Sequence, residues 1–333
     1  MVHARPFSFY DDAASVSLPS SFSSGPSVAK PAALDASVPL FRLRQLQSSW
    51  YQTLFQSDPT DPLPNALSFI WQKCFEMREW SEGLPDDMTT GIREMLNLEL
   101  RYSYVYCIAP SARAPDLTAY GRMLIFEHAI AYVDRLYEVA NSTTRTAFYT
   151  YHDALRLYFM GSQFVAVLRD AGDLVLSGSP IPAPHFVPGK APPPPLPVRI
   201  DRGGGDKLER SLRCLEKVKL TLKLYGDRWE DALSFLQSFE MMSAEVLKSL
   251  ETRRVMREAV AATRGVEHAS PPNQQRHQLP VPQPVPNAMP NPEHHSPLAQ
   301  HQHQLQPPPP QQGPEVRWMD VDVARMIHGG GHI

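Results

Sequence analysis

Cysteine is scarce in this sequence, and its three residues, Cys74, Cys107 and Cys214, stand far apart. All three fall in segments with helical periodicity. An odd number of scattered cysteines argues against a disulfide framework and against a thiolate metal site. The sequence therefore favours a reducing, intracellular compartment.

Long apolar runs and an excess of one charge are missing too. No stretch of about eighteen apolar residues is available to span a bilayer, and the start of the chain lacks the basic and apolar blocks of a secretory signal. The 32 basic and 35 acidic residues nearly cancel. We therefore expect no membrane partner and no long-range attraction of the chain to nucleic acids.

The parts of common catalytic sites are also absent from the sequence, which has no G-x-S-x-G elbow, phosphate-binding glycine loop or H-E-x-x-H motif. Asp86 and Asp87 lack the third carboxylate of a helical metal motif, and we expect them to cap a helix. His152, beside Asp153, is expected to be half-buried with a local hydrogen bond. We predict no enzyme, and no catalytic, cofactor-binding or metal-binding residue in this chain.

Helical periodicity, by contrast, is abundant. Between Pro39 and about Ala171, apolar residues recur at every third or fourth position in five segments. Two further segments after residue 206 predict a helical hairpin that turns at Gly226 and Asp227. No run alternates with period two as a strand does. The sequence thus predicts an all-α fold, a multi-helix bundle or stacked helical pairs.

The periodicity also predicts which residues face the core. In the fifth segment, Gly161 and Ser162 permit either a close helix contact or a weak point. The predicted apolar face of the second segment contains Leu67, Ile70, Cys74 and Met77, and that of the third contains Met88, Ile92, Met95, Leu98, Tyr102 and Val105.

Proline marks the parts that we expect to lie outside the helices. A loop at 177–206 combines a polyproline stretch with a glycine triplet and is interpreted as a spacer or an insertion. Residues 265–333 are rich in Pro, Gln and His, too polar to offset their ordering entropy, and predict a disordered tail with a short helix at 316–328. The helical domain is thus predicted at 39–264, after a partly disordered connector at 1–38.

Basic residues crowd the predicted hairpin, where acidic residues interleave with them, often four positions away. This spacing is typical of solvated helices rather than of a DNA-binding face. The basic residues are Lys207, Arg210, Arg213, Lys217, Lys219, Lys223 and Arg228.

Four segments together resemble one family. They are "VPLFRLRQLQSSWYQTLF", "LNLELRYSYVYCIAPSARAP", "YTYHDALRLYFMGSQFVAVL" and "LRCLEKVKLTLKLYGDRWEDALSFLQSFEMMSAEVLKSL". In order and spacing they resemble the carboxyl half of the regulatory region of fungal zinc-cluster transcription factors. The resemblance implies an all-helical region that modulates transcription in the nucleus. The family's six-cysteine zinc cluster and basic linker match nothing here, so zinc and DNA contact are expected only in a missing amino-terminal cluster.

The resemblance extends to the beginning of the chain. The family has a connector of this kind in the middle of its regulatory region, and the matching residues are Arg5, Pro6, Ser8, Asp11, Asp12, Leu18 and Pro19. We therefore expect Met1 to stand where a longer protein is cut.

Function is expected to consist of binding to co-regulators or to the transcription machinery, with self-association through exposed helix faces. The mixture of acidic and apolar residues near the carboxyl end predicts an activation segment. Its residues are Trp318, Met319, Asp320, Val321, Asp322 and Met326. A helical interaction scaffold without a role at DNA is the alternative, and an all-α enzyme has little support.

Overall fold

A computed structural model describes residues 37–56, 60–142, 150–185, 188–197 and 206–267. These residues form seven α-helices and no strand, apart from an isolated β-bridge between Ser111 and Ala114. The predicted all-α fold is confirmed. The helices are α1 Ser37–Tyr51, α2 Ala66–Glu82, α3 Thr90–Ile108, α4 Ala119–Ala140, α5 Tyr151–Leu176, α6 Lys207–Gly226 and α7 Asp231–Glu267, and a π-helical turn Gln52–Gln56 extends α1.

Contacts divide the chain into two units, Met1–Thr263 and Arg264–Ile333. Only the last turn of α7 is described in the second unit. All side-chain contacts of the described helices belong to the first unit. Residues 265–267, the first three of the predicted tail, belong to α7. The rest of that tail, with its short helix at 316–328, lies outside the described residues, as do all but the last two residues of the predicted connector.

Helix α4 forms the centre of the first unit and packs against α3, α5 and α6. Of its 22 residues, 14 are buried, because its sequence is apolar on nearly every side, as expected of a helix surrounded by others. The side chain of Thr118 caps its amino end by accepting a hydrogen bond of 3.0 Å from the backbone N–H of Gly121. Two charged or ionisable residues, Glu127 and His128, are nonetheless buried in this helix.

Aromatic side chains join the amino-terminal helices to the rest of the core. The ring of Tyr106 in α3 lies 5.5 Å from Trp50, 5.0 Å from Phe55 and 4.7 Å from Phe159, measured between centroids. These are the tilted and edge-to-face arrangements that aromatic pairs prefer. One side chain thus connects α1, the π-helical turn and α5.

The contact between α5, α6 and α7 depends on a glycine. A Cβ atom built on Gly161 would lie 2.7 Å from Cε2 of Phe239 and 3.1 Å from Cγ1 of Val218. Nearby, the rings of Tyr158 and Phe235 stack with centroids 5.3 Å apart. Of the two roles expected for Gly161, the close helix contact is therefore the correct one.

The buried face of α3 differs from the predicted one. The helix begins at Thr90, and its N-cap residue is Thr89, so the predicted cap at Asp86 or Asp87 is wrong. Met95 is 42% exposed, whereas the adjacent Leu96 is fully buried. The prediction also omitted the charged residue Glu99, which α3 buries three positions after Leu96.

One member of the predicted core of α2 is also misplaced. Leu67 is 40% exposed, whereas Ile70, Cys74 and Met77 are buried as predicted. Leu67 lies in the first turn of α2, where Ala66 and Phe69 pack against the core instead.

Part of the proline-rich loop packs onto the helices and does not stand apart as a spacer. Pro194 is buried, and its carbonyl oxygen accepts a hydrogen bond of 3.0 Å from the hydroxyl of Tyr120 in α4. Leu196 packs against the core beside it. The segment 188–197 thus covers the start of α4.

Replacing Tyr120 with phenylalanine tests this attachment. We expect the free energy of unfolding to fall by about 0.5 to 1.5 kcal/mol, because the buried carbonyl of Pro194 loses its donor. Denaturant unfolding of the two proteins measures the difference. Tyr137→Phe is the control on the same helix, since Tyr137 is only half-buried. Equal stability of Tyr120→Phe and the native chain would contradict the attachment.

Candidate functional site

The predicted activation segment lies outside the described residues, so the structure does not place Trp318, Met319, Asp320, Val321, Asp322 or Met326. Within the described ranges, no three His, Cys, Asp or Glu side chains come close enough together to hold a metal ion. None of the described helices combines the length and apolar character that a membrane crossing requires. His152 is half-buried at the start of α5, next to the ring of Tyr151.

Among the described residues, Glu99, Glu127 and His128 are buried, and each lies in a cluster of polar side chains between helices. The first surrounds Glu99, which α3 places between α1 and α5. The Glu99 carboxylate lies 3.0 Å from the guanidinium of Arg44 and accepts hydrogen bonds of 2.7 and 3.3 Å from Arg156. Arg156 in turn lies over the ring of Tyr102, with its Cζ atom 5.1 Å from the ring centroid.

Two opposing effects determine the pKa of Glu99. Burial by itself raises this pKa, but the charges of Arg156 and Arg44 outweigh burial, so the pKa of Glu99 is lower than its ordinary value. The partner responds in the opposite direction. Burial lowers the pKa of Arg156, but the nearby carboxylate of Glu99 outweighs it and raises this pKa overall. The cluster is therefore fully ionised near neutral pH.

The second cluster connects α4 to α6. The buried carboxylate of Glu127 accepts two hydrogen bonds from Arg210, of 3.1 and 2.6 Å. Near the other end of the same interface, Lys217 and Asp134 form an ion pair of 2.7 Å. The prediction that the basic residues of the hairpin are solvated is therefore wrong for Arg210, whose side chain is only 10% exposed. The i, i+4 pattern did not show that α4 supplies a buried partner.

The third cluster lies where α2, α3 and α4 meet. His128 of α4 is 5% exposed, and both of its ring nitrogens are buried without a hydrogen-bond partner within the described part of the chain. Its ring centroid lies 5.1 Å from that of Tyr104 in α3. One helical turn before Tyr104, Arg101 is partly buried on the same side of α3.

Electrostatics distinguishes this third cluster from the other two. Burial lowers the pKa of His128 to about 3, and the charge of Arg101 acts in the same direction, so the imidazole is neutral at physiological pH. Burial also lowers the pKa of Arg101. Burial raises the pKa of the Tyr104 hydroxyl, which therefore keeps its proton. The cluster thus combines a cation with two neutral polar groups.

Sequence reasoning missed this third cluster. Arg101 and His128 each interrupt an apolar run, in "LELRYSYVY" and "LIFEHAIAY", and a charged residue at such a position was the only signal. Nothing in the spacing indicates that the two residues meet, because 27 positions separate them and only the packing of α3 on α4 brings them together.

The three cysteines are buried and free. Cys74 of α2 and Cys107 of α3 face each other closely enough to interact, and burial raises the pKa of the Cys74 thiol. Burial likewise raises the pKa of Cys214. The thiols of Cys74 and Cys214 are therefore protonated, and all three buried cysteines pack as small apolar core groups.

The far half of α7 presents apolar side chains to solvent. Leu250 is its last buried residue among those whose side chains are described. The exposed apolar residues of this helix include Met241, Val255, Met256 and Val260, and Met241 is 75% exposed. Arg257 of the same stretch pairs with Asp206 at the start of α6.

No protein-family model, curated protein or solved structure matches this chain.

Proposed function

We propose that this protein is a transcription regulator of the fungal zinc-cluster family, which acts in the nucleus on genes of metabolic or secondary-metabolite pathways. One observation carries the proposal. The four segments that resemble the family all contribute helices to a single core, as α1, α3, α5 and the α6–α7 hairpin. Helices α1 and α3, α3 and α5, and α5 and α6 are in direct contact, so the four segments belong to one helical domain, as the resemblance implies.

The chemistry of the described residues favours protein contact over DNA contact for the helical domain. Three basic side chains of α6 are engaged in ion pairs, including Arg210 with Glu127 and Lys217 with Asp134. Such a surface offers little to a phosphate backbone. DNA contact is therefore assigned to a zinc cluster outside this chain, and contact with co-regulators or the transcription machinery to the helical domain and the segment around Trp318.

A tethering experiment tests the proposal. The full chain is fused to an unrelated DNA-binding domain and placed upstream of two reporters, one that detects activation and one that detects repression. We expect the fusion to change the output of one reporter relative to the DNA-binding domain alone. Replacing Trp318 and Met326 with alanine should weaken an activating output, because apolar residues in acidic segments anchor such contacts.

A matched control separates this effect from a general loss of protein. Met241→Ala removes a methionine that is 75% exposed on α7 and should leave the reporter unchanged. Unchanged output of both reporters with a fusion that accumulates normally in the nucleus would contradict the proposal.

A helical interaction scaffold without a role at DNA is the second candidate. The exposed apolar residues Val255, Met256 and Val260 favour it, because such a row is typical of interaction surfaces, including those used for self-association. The tethering experiment distinguishes the two functions, since a scaffold leaves both reporters unchanged.

A further inference from the structure

Arg101 differs from three other arginines that lie between helices in the described part of the chain. Arg44, Arg156 and Arg210 each have a carboxylate oxygen within 3.0 Å. Arg101 is partly buried between helices as they are, yet within the described residues its side chain has no ion pair or hydrogen bond. A cation that loses water without gaining an anion raises the free energy of the fold.

Two neighbours of Arg101 also lack hydrogen-bond partners. Both nitrogens of His128 are buried without a hydrogen-bond partner in the described residues, and the described part of the chain supplies no hydrogen bond to the hydroxyl of Tyr104. Buried polar groups are nearly always satisfied, so the two buried nitrogens of His128, next to a guanidinium without an ion pair, indicate a missing ligand. Arg78 of α2 lies close enough to Tyr104 for their charges to interact, and it is paired with Glu82 at 2.7 Å.

We propose that a small anion with a carboxylate or phosphate group binds at Arg101, where α2, α3 and α4 meet, and takes hydrogen bonds from Arg101, Tyr104 and His128. The guanidinium supplies the charge and several donors. The Tyr104 hydroxyl and the single N–H of the neutral His128 each supply one more. The inference is independent of the proposed role in transcription, because it concerns only the binding of a small molecule to the isolated protein.

The charge of the cluster decides the sign of the ligand. The charges of Arg78 and Glu82 compensate each other, so the cluster carries one uncompensated positive charge, that of Arg101. A metal cation at His128 would be repelled by this charge, whereas an anion is attracted to it. A neutral ligand would satisfy the hydrogen-bond donors but would leave the guanidinium uncompensated.

The test uses the full chain, with inorganic phosphate and acetate as separate probes and chloride at the same ionic strength as the reference. Titration calorimetry and the midpoint of thermal unfolding are measured for each. We expect one of the two probes to bind and to raise the midpoint, and the one that binds identifies the group as phosphate or carboxylate. In Arg101→Gln the affinity should fall by about tenfold or more, because the charge-assisted hydrogen bonds are lost.

Two further variants keep the result interpretable. Arg122→Gln removes an arginine of α4 that forms no ion pair with the described residues and lies outside the cluster, so it should leave binding unchanged. Arg101→Lys keeps the charge and should retain part of the affinity. In chloride, Arg101→Gln should melt no lower than the native chain, because it removes a cation that lacks a partner.

Three results would overturn the inference: no binding of either probe, equal binding to the native chain and to Arg101→Gln, or a large loss of thermal stability in Arg101→Gln without any anion present. The last result would show that Arg101 has a structural partner within the chain. None of these results depends on the reporter experiment, so the failure of one proposal is distinguishable from the failure of the other.

Discussion

Replacing Glu99 with glutamine is expected to lower the free energy of unfolding by about 3 to 5 kcal/mol. The substitution preserves the shape of the side chain but removes the charge between Arg44 and Arg156. The side chain of Arg156 is only 11% exposed and that of Arg44 20%, so water does little to compensate the two guanidinium groups. Breaking a buried pair from one side therefore costs more than the intact pair contributes.

Denaturant unfolding of the two proteins measures this change, and Glu94→Gln is the matched control on the same helix. Glu94 pairs with Arg135 in α4, but the two side chains are 40% and 36% exposed. Exposed pairs contribute at most about 1 kcal/mol. A loss in Glu99→Gln no larger than that in Glu94→Gln would contradict a structural role for the Glu99 cluster.

Low pH should remove the stability that the Glu99 cluster contributes. The pKa of Glu99 in the folded protein is lower than its ordinary value of 4.5, so the ion pairs contribute their full stability above about that pH. This contribution is lost as the pH falls from there through the lower pKa of the folded state. Glu99→Gln should accordingly show a shallower decline of stability in this acid range than the native chain.

The outcome for α3 explains how far the sequence predicts this fold. Helical periodicity predicted the all-α class and most of the helices, because an apolar face must be buried wherever helices pack. The same rule placed Met95 in the core of α3 and left out Glu99, because hydropathy treats Glu99 as a surface residue. Only the tertiary partners Arg44 and Arg156, which are 55 and 57 positions away in the sequence, make its burial favourable.

The candidate anion site could not be predicted from the sequence. His128, Tyr104 and Arg101 come from two helices, and their significance depends on partners that are missing rather than present. The proline-rich loop shows the same limit, because its composition indicates a spacer, whereas Pro194 is held on α4 by Tyr120. Both the anion site and the attachment of the loop depend on contacts between residues that are distant in the sequence.

Gly161, for which the sequence left open a close helix contact or a weak point, provides the second large expected effect. Replacing it with alanine should lower the free energy of unfolding by about 1 to 3 kcal/mol. The new Cβ would lie 2.7 Å from Cε2 of Phe239 and 3.1 Å from Cγ1 of Val218. This overlap forces α5 away from the α6–α7 hairpin, and the cost exceeds the gain of about 1 kcal/mol in helix propensity.

Gly172→Ala is the control, because it makes the same substitution in the same helix where no atom lies within 4 Å of the new Cβ. It should be neutral or stabilise the protein by up to about 1 kcal/mol. Phe239→Leu provides the decisive comparison, since a smaller side chain on α7 leaves room for the added methyl group. The loss in the double variant should therefore be smaller than the sum of the losses in Gly161→Ala and Phe239→Leu. Strict additivity of the two losses would show that Gly161 and Phe239 do not share one contact.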